Sequence, residues 1–266
     1  DQTREFTAIR QGMIDMAGGS TINWSPQIKQ LNLFSLPFLQ PDAKATDALI
    51  NGEVGKDLFG YIEKAGVVPL AWGENGFRQL SNSKHEVTKP EDMKGLKLRV
   101  VGSPLYMDTF SALGANPTQM SWADAQPALA NKAVDGQENP LSIYAGAKLY
   151  DVQQQYLTLW NYVSDPLVFV VNRDVWKSWS EEDQKIVREA AIEAGKREIV
   201  IARTSITAED PALLKEIEGH GVKVTTLTPE QHAAFAKATE GVVEKWTKTI
   251  GEDLVKKARD AIAASR

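Results

Sequence analysis

One layout occurs twice in this chain: a helical pattern stops, a small residue intervenes, and a short Val/Ile-Asp strand delivers polar residues at its carboxyl end. It reads Gln11-Gly-Met-Ile-Asp15 near the start and Lys132-Ala-Val-Asp135-Gly in the middle. Helical and strand periods alternate along the rest of the sequence, so the repeated unit predicts two similarly built α/β lobes. Sheets of this class place ligands outside the carboxyl ends of their strands.

The individual elements follow from period and punctuation. Arg4 to Gln11 ends a helix stopped by Gly12, and Met13 to Ala17 reads as a short buried strand opening into Gly18-Gly19-Ser20. Asp42 to Ala65 carries a helical period, Val67 to Trp72 a strand, and Gly73-Glu-Asn-Gly76 a break before an extended Phe77 to Ser81. Leu96 to Val101 is a strand, Ser103 to Leu113 a helix, Asn116 to Met120 a strand, and Trp122 to Asn131 a helix with Ser121 as its N-cap. Pro166 to Asn172 is a β-branched strand, Ser180 to Thr207 a long helix opening on Ser180-Glu-Glu-Asp183, and Glu252 to Ala264 a tail helix.

Composition removes several function classes. The 266 residues are 42% hydrophobic and 24% charged, an ordinary globular balance with room for two domains. A net charge of −5, without Lys/Arg-rich runs, argues against a nucleic-acid partner. Apolar stretches such as Pro166 to Val171 are too short for direct membrane insertion, and the start lacks a signal-peptide layout, as a mature chain cut from its precursor would. The absence of cysteine excludes disulfides and thiolate chemistry. His85, His220 and His232 show no metal-ligand spacing and read as solvent-facing. No phosphate loop, dinucleotide fingerprint or Gly-x-Ser-x-Gly elbow is present, so no catalytic residue, metal or cofactor is expected.

Lys94 to Pro140 is the richest segment. Arg99 follows a Leu-Lys-Leu alternation and precedes Val-Val, so its guanidinium leaves a structured element, where its planar fork suits a bidentate grip on a carboxylate. The competing reading makes it a surface or sheet-edge cation in a local ion pair. With Lys94-Gly-Leu-Lys-Leu-Arg99-Val, Met120-Ser-Trp122 and Val134-Asp-Gly-Gln-Glu-Asn139-Pro, the chain resembles the solute-binding proteins of tripartite ATP-independent periplasmic (TRAP) transporters, dicarboxylate-binding type. Gln11-Gly-Met-Ile-Asp15-Met, Leu36-Pro-Phe-Leu39, Gly76-Phe-Arg78 and Val171-Asn-Arg-Asp-Val-Trp176 extend the resemblance over nearly the whole chain.

The resemblance implies a two-lobed α/β periplasmic-binding-protein fold with a hinge and a long helix spanning both lobes. Lobe I would comprise 1–76 and 165–204, lobe II 77–164 and 205–266; relatives begin with a strand-helix-strand ahead of the segment that matches Asp1, and it is absent from this sequence. By the same resemblance, Arg99 is the carboxylate clamp, Asn139 orients the clamp or touches the ligand, Arg78 is a second cleft cation, and Trp122 packs on the ligand. Trp24, Glu74, Asn75 and Asp165 fall on cleft-facing loops, although Trp24 also reads as a core anchor, Glu74 and Asn75 as turn residues, and Asp165 as a turn former before Pro166. The implied function is periplasmic capture of a small hydroxy, keto, sugar or cyclic acid for the membrane subunits of a TRAP transporter. Presentation to a sensor kinase or chemoreceptor is the alternative, and an enzyme acting on a small acid a remote one.

Overall fold

The chain's longest strand crosses the point where the sequence predicts a break. The computed structural model describes residues 2–204, 206 and 211–266, and its eight strands are β1 (Met16–Ser20), β2 (Val67–Asn82), β3 (Lys97–Val100), β4 (Asn116–Gln119), β5 (Gly136–Pro140), β6 (Tyr156–Leu159), β7 (Ser164–Asn172) and β8 (Lys223–Thr226). β2 runs 16 residues through Gly73-Glu-Asn-Gly76 without ending. Register shifts between Pro69 and Ala71 and between Glu74 and Gly76 absorb the irregularity, and Gly76 takes φ +110°, a conformation suited to glycine.

This continuity joins the two halves of the fold. Val67 to Phe77 pairs antiparallel with β7, whereas Arg78 to Asn82 pairs antiparallel with β5, and Leu80 to Asn82 also with β6. β1 pairs antiparallel with the other edge of β7. The parallel pairing expected from sequence is found where β3 lies between β4 and β5, and again between β6 and β8. The fold is thus a mixed α/β sheet of two lobes, with β2 passing from one to the other.

Each lobe has its own core. The first gathers Phe6, Trp24, Leu31, Phe34, Leu49, Leu58, Val67 and Val168. In the second, one cluster builds on Leu80, Leu98, Tyr106, Phe110, Trp160 and Tyr162, and another on Leu129, Tyr144, Leu157 and Ile217. The expected assignment of 205–266 to lobe II needs correction. Ile217, Val222 and Phe235 do pack there, but Val242, Trp246, Ile250, Leu254, Ala258 and Ile262 return to the first core. Spaced every four residues, these six form a stripe along the helices Glu240–Ile250 and Glu252–Ala264, and that apolar face is buried on the first lobe.

Two other expectations change. Met13 to Ala17 is no buried strand: Met13 is 75% exposed, and pairing begins only at Met16, because β1 ends the sheet and buries just its last residues. His85 and His220 are exposed, but His232 is half-buried against the Phe38 ring, 4.7 Å between centroids, and that burial lowers its pKa.

The long helix runs Glu181–Ala202, capped by Ser180, whose Oγ accepts from the Asp183 amide; its expected extension to Thr207 lies outside the described residues. Its described polar contacts to the sheet fall on the first-lobe half of β2. Arg188 donates to the Pro69 carbonyl at 3.0 Å, the Glu74 amide donates to Glu198 at 2.7 Å, and Arg203 joins Glu74 to Asp47. Beyond the helix, Ile206 packs against one of the second lobe's core clusters.

Gly195 permits this contact, since a Cβ there would lie 2.2 Å from the Trp72 carbonyl oxygen. Gly195→Ala is therefore expected to destabilise by about 1–3 kcal/mol, since rigid backbone on both sides cannot yield. Gly60→Ala, at a helical position with open space around it, should gain up to about 1 kcal/mol. Thermal unfolding of the two variants tests this, and an unchanged melting temperature for Gly195→Ala would contradict the close approach.

Candidate functional site

The carboxyl ends of β3, β4 and β5 converge on a cavity of about 860 Å³ whose wall also includes Ser20, Asn75, Asp165 and Leu167 from the first lobe. Register explains the convergence. Arg99 on β3 lies level with Gln137 on β5 and Thr118 on β4, while Asn139 lies level with Gln79, next to Arg78 on β2. Residues from distant parts of the chain thereby share one end of the sheet.

Arg99 is 4% exposed. Its Nε donates to the Met120 carbonyl at 3.0 Å, and its guanidinium carbon lies 5.4 Å from the centre of the Trp122 ring. Among the described residues no carboxylate forms a salt bridge with it, and its two terminal nitrogens meet no protein acceptor. Burial lowers its pKa to about 10, with Arg78 adding to the effect and Glu138 opposing it. The sequence alternative of a local ion pair is thus not what the structure shows: Arg99 is a buried cation aimed into a cavity.

Arg78 is placed very differently. Its Nε and one terminal nitrogen grip Glu138, the latter at 2.8 Å and also bonded to the Glu138 carbonyl at 2.8 Å, and the other terminal nitrogen donates to Asp165 at 2.7 Å. Burial alone would lower its pKa, but the two carboxylates raise it well above the ordinary arginine value. Tyr162 donates to Glu138 at 2.6 Å. Asp165 also accepts from Ser20 at 2.5 Å and from Asn75 at 3.0 Å, so three elements of the first lobe meet on one carboxylate.

Asn139 accepts from Arg78 at 3.1 Å and donates to Gln137 at 2.6 Å. It orients the second arginine rather than Arg99, and it lines the cavity. Trp122 lines it as well, at the start of a helix capped by Ser121.

Two of the expected cleft residues lie elsewhere. Trp24 is fully buried in the first core against Phe6, 5.4 Å between ring centres, where the close approach of Gly19 leaves it room. Glu74 points to the opposite partner, Arg203, because the bulge in β2 sends it toward the long helix while Asn75 faces the cavity. Sequence reasoning passed over Glu138, Ser20 and Tyr162. Glu138 sits inside the quoted Gln-Glu-Asn-Pro motif and Ser20 ends the Gly-Gly-Ser segment, so both signals were present; Tyr162 has no local motif.

This architecture can be compared with known proteins. Residues 1–249 match the bacterial extracellular solute-binding protein family 7. A TRAP periplasmic solute-binding protein from Ralstonia eutropha H16, solved with bound (S)-2-acetolactate, is 67% identical with a TM-score of 0.97, over 99% of this chain and 84% of that one. A TRAP solute-binding protein from Sulfurospirillum deleyianum, solved with succinate, is 33% identical with a TM-score of 0.89, over 97% of this chain and 83% of that one. The 2,3-diketo-L-gulonate-binding periplasmic protein YiaO of Escherichia coli is 32% identical over 254 residues, 94% of this chain and 75% of that protein. The chain belongs to family 7 of the bacterial extracellular solute-binding proteins, the organic-acid-binding components of TRAP transporters.

Proposed function

We propose that this chain captures a small branched hydroxy-keto acid of the 2-acetolactate kind outside the cytoplasmic membrane and hands it to the membrane subunits of a TRAP transporter. Arg99 carries the reading. A guanidinium whose terminal nitrogens meet no acceptor among the described residues, buried beside an aromatic face, suits a ligand carboxylate. Bound there, the carboxylate supplies the partner that offsets the cost of keeping the cation out of water.

The rest of the wall fits such an acid. Asn139, Ser20 and Asn75 offer polar groups for hydroxyl and keto oxygens, and Ile143, Leu167 and Val101 offer apolar surface for methyl groups. The acid found in the Ralstonia relative, at 67% identity, supports this class. Delivery to membrane subunits and residence in the periplasm are supported by the family's description and by the relatives' titles. Among the described residues no helix is long and apolar enough to cross a membrane.

Arg99→Ala is expected to weaken (S)-2-acetolactate binding by about 2–5 kcal/mol, the usual cost of truncating one partner of a buried charge pair. Arg99→Lys should recover little, because an ammonium cannot form the planar fork. Calorimetric titration measures both, and near wild-type affinity in Arg99→Ala would remove Arg99 from the site.

Because the cavity wall comes from both lobes, ligand should favour the arrangement in which they close on it. Small-angle scattering is expected to show a smaller radius of gyration with saturating acid, and thermal stability should rise by about 2.7 kcal/mol at a ligand concentration of a hundred times Kd. An unchanged scattering profile with full binding would show that the lobes do not move.

A further inference from the structure

We propose that Asp165, held by Arg78, makes this cleft a charge filter that accepts acids with one carboxylate and rejects isosteric acids with two. The inference rests on the reading of the cavity as an acid site and adds which acids it takes.

Arg78 and Arg99 are the buried cations of the cavity wall, and they differ in what they have left to offer. Among the described residues, no acceptor meets the terminal nitrogens of Arg99. Arg78 is committed to Glu138 on one side and Asp165 on the other, with Asn139 and the Glu138 carbonyl on the same fork. One cation and two carboxylates leave the Arg78 group with a net negative charge. Its Asp165 member lines the cavity, whereas Glu138 lies behind it, bonded to Tyr162.

A ligand gripped by Arg99 therefore extends its far end toward a net negative group. A hydroxyl or keto oxygen is accommodated there by Ser20, Asn75 or Asn139. A second carboxylate would be desolvated beside Asp165 with no buried cation left to meet it, and like charges brought together in this way are strongly unfavourable. Arg4, which also lines the cavity, is exposed, so solvent weakens its pull on a charge held deeper. Other family members do hold a dicarboxylate, such as the Sulfurospirillum protein with succinate. In this chain the filter depends on its own hydrogen bonds between Arg78, Glu138 and Asp165.

A pair of matched probes tests it. In 2-hydroxy-2-methylmalonate the acetyl group of 2-acetolactate is replaced by a carboxylate of nearly the same shape, so the two differ mainly by one charge. Calorimetric titration of the wild-type protein at pH 7.5 should show the diacid binding at least about 100-fold more weakly. Asp165→Asn keeps the side chain's size and one acceptor oxygen, which can stay on Arg78 while the amide nitrogen donates to the Ser20 oxygen, and it removes the charge, so it should narrow that ratio about tenfold or more. Equal wild-type affinities for the two probes would overturn the filter while leaving the acid-binding reading intact, and this comparison needs no variant. An unchanged ratio in an Asp165→Asn protein that still unfolds cooperatively would remove Asp165 as its source. Failure of the wild-type protein to bind either probe would overturn both the acid-binding reading and the filter built on it.

Discussion

The buried contact of Arg78 with Glu138 and Asp165 is the constraint on which the site depends. Arg78 is the first residue of β2 paired with the second lobe, Glu138 lies on β5 of that lobe, and Asp165 lies on β7 of the first. Removing three charges from water is costly unless each is matched by hydrogen bonds, and here each is: Tyr162 serves Glu138, while Ser20 and Asn75 serve Asp165. The contact ties the lobes together where the strand crosses between them. By consuming Arg78 it also leaves Arg99 as the buried arginine of the wall with donors to offer.

That division of labour places the two sets of cavity residues on different lobes. Arg99, Asn139 and Trp122 belong to the second lobe, and Ser20, Asn75 and Asp165 to the strands of the first or its crossing. A ligand touching both sets stabilises one relative position of the lobes by its differential affinity for that position. The long helix contacts the first-lobe half of β2 through Gly195, Glu198 and Arg203, and Ile206 packs against the second lobe's core.

Much of this was legible in the sequence, for definite reasons. Helix caps such as Ser121 and Ser180, and the tail helix Glu252–Ala264, are local signals and were placed well. Arg99 announced itself by leaving a strand, and the Gln-Glu-Asn-Pro motif pointed to the same end of the sheet. What local pattern could not give is which neighbour each group meets. Gly73 and Gly76 read as a break, but a bulge turns them into a bend in a continuous strand. Trp24 and Glu74 are adjacent in sequence to cavity residues yet face a core and a helix, Trp24 because it ends the short helix Thr21–Trp24 packed on the first core, Glu74 because of the bulge in β2. The return of Val242 to Ile262 to the first core depends on which apolar face was left uncovered by the rest of the fold.

The central claim is that the ligand carboxylate belongs to Arg99 while Arg78 stays with its protein partners. A crystal structure with bound (S)-2-acetolactate tests it most directly. A carboxylate held by both terminal nitrogens of Arg99 at about 2.7–2.9 Å, with the Arg78 to Asp165 bond intact, is expected. A carboxylate found instead on Arg78, with Asp165 displaced and Arg99 still turned to the Met120 carbonyl, would contradict it.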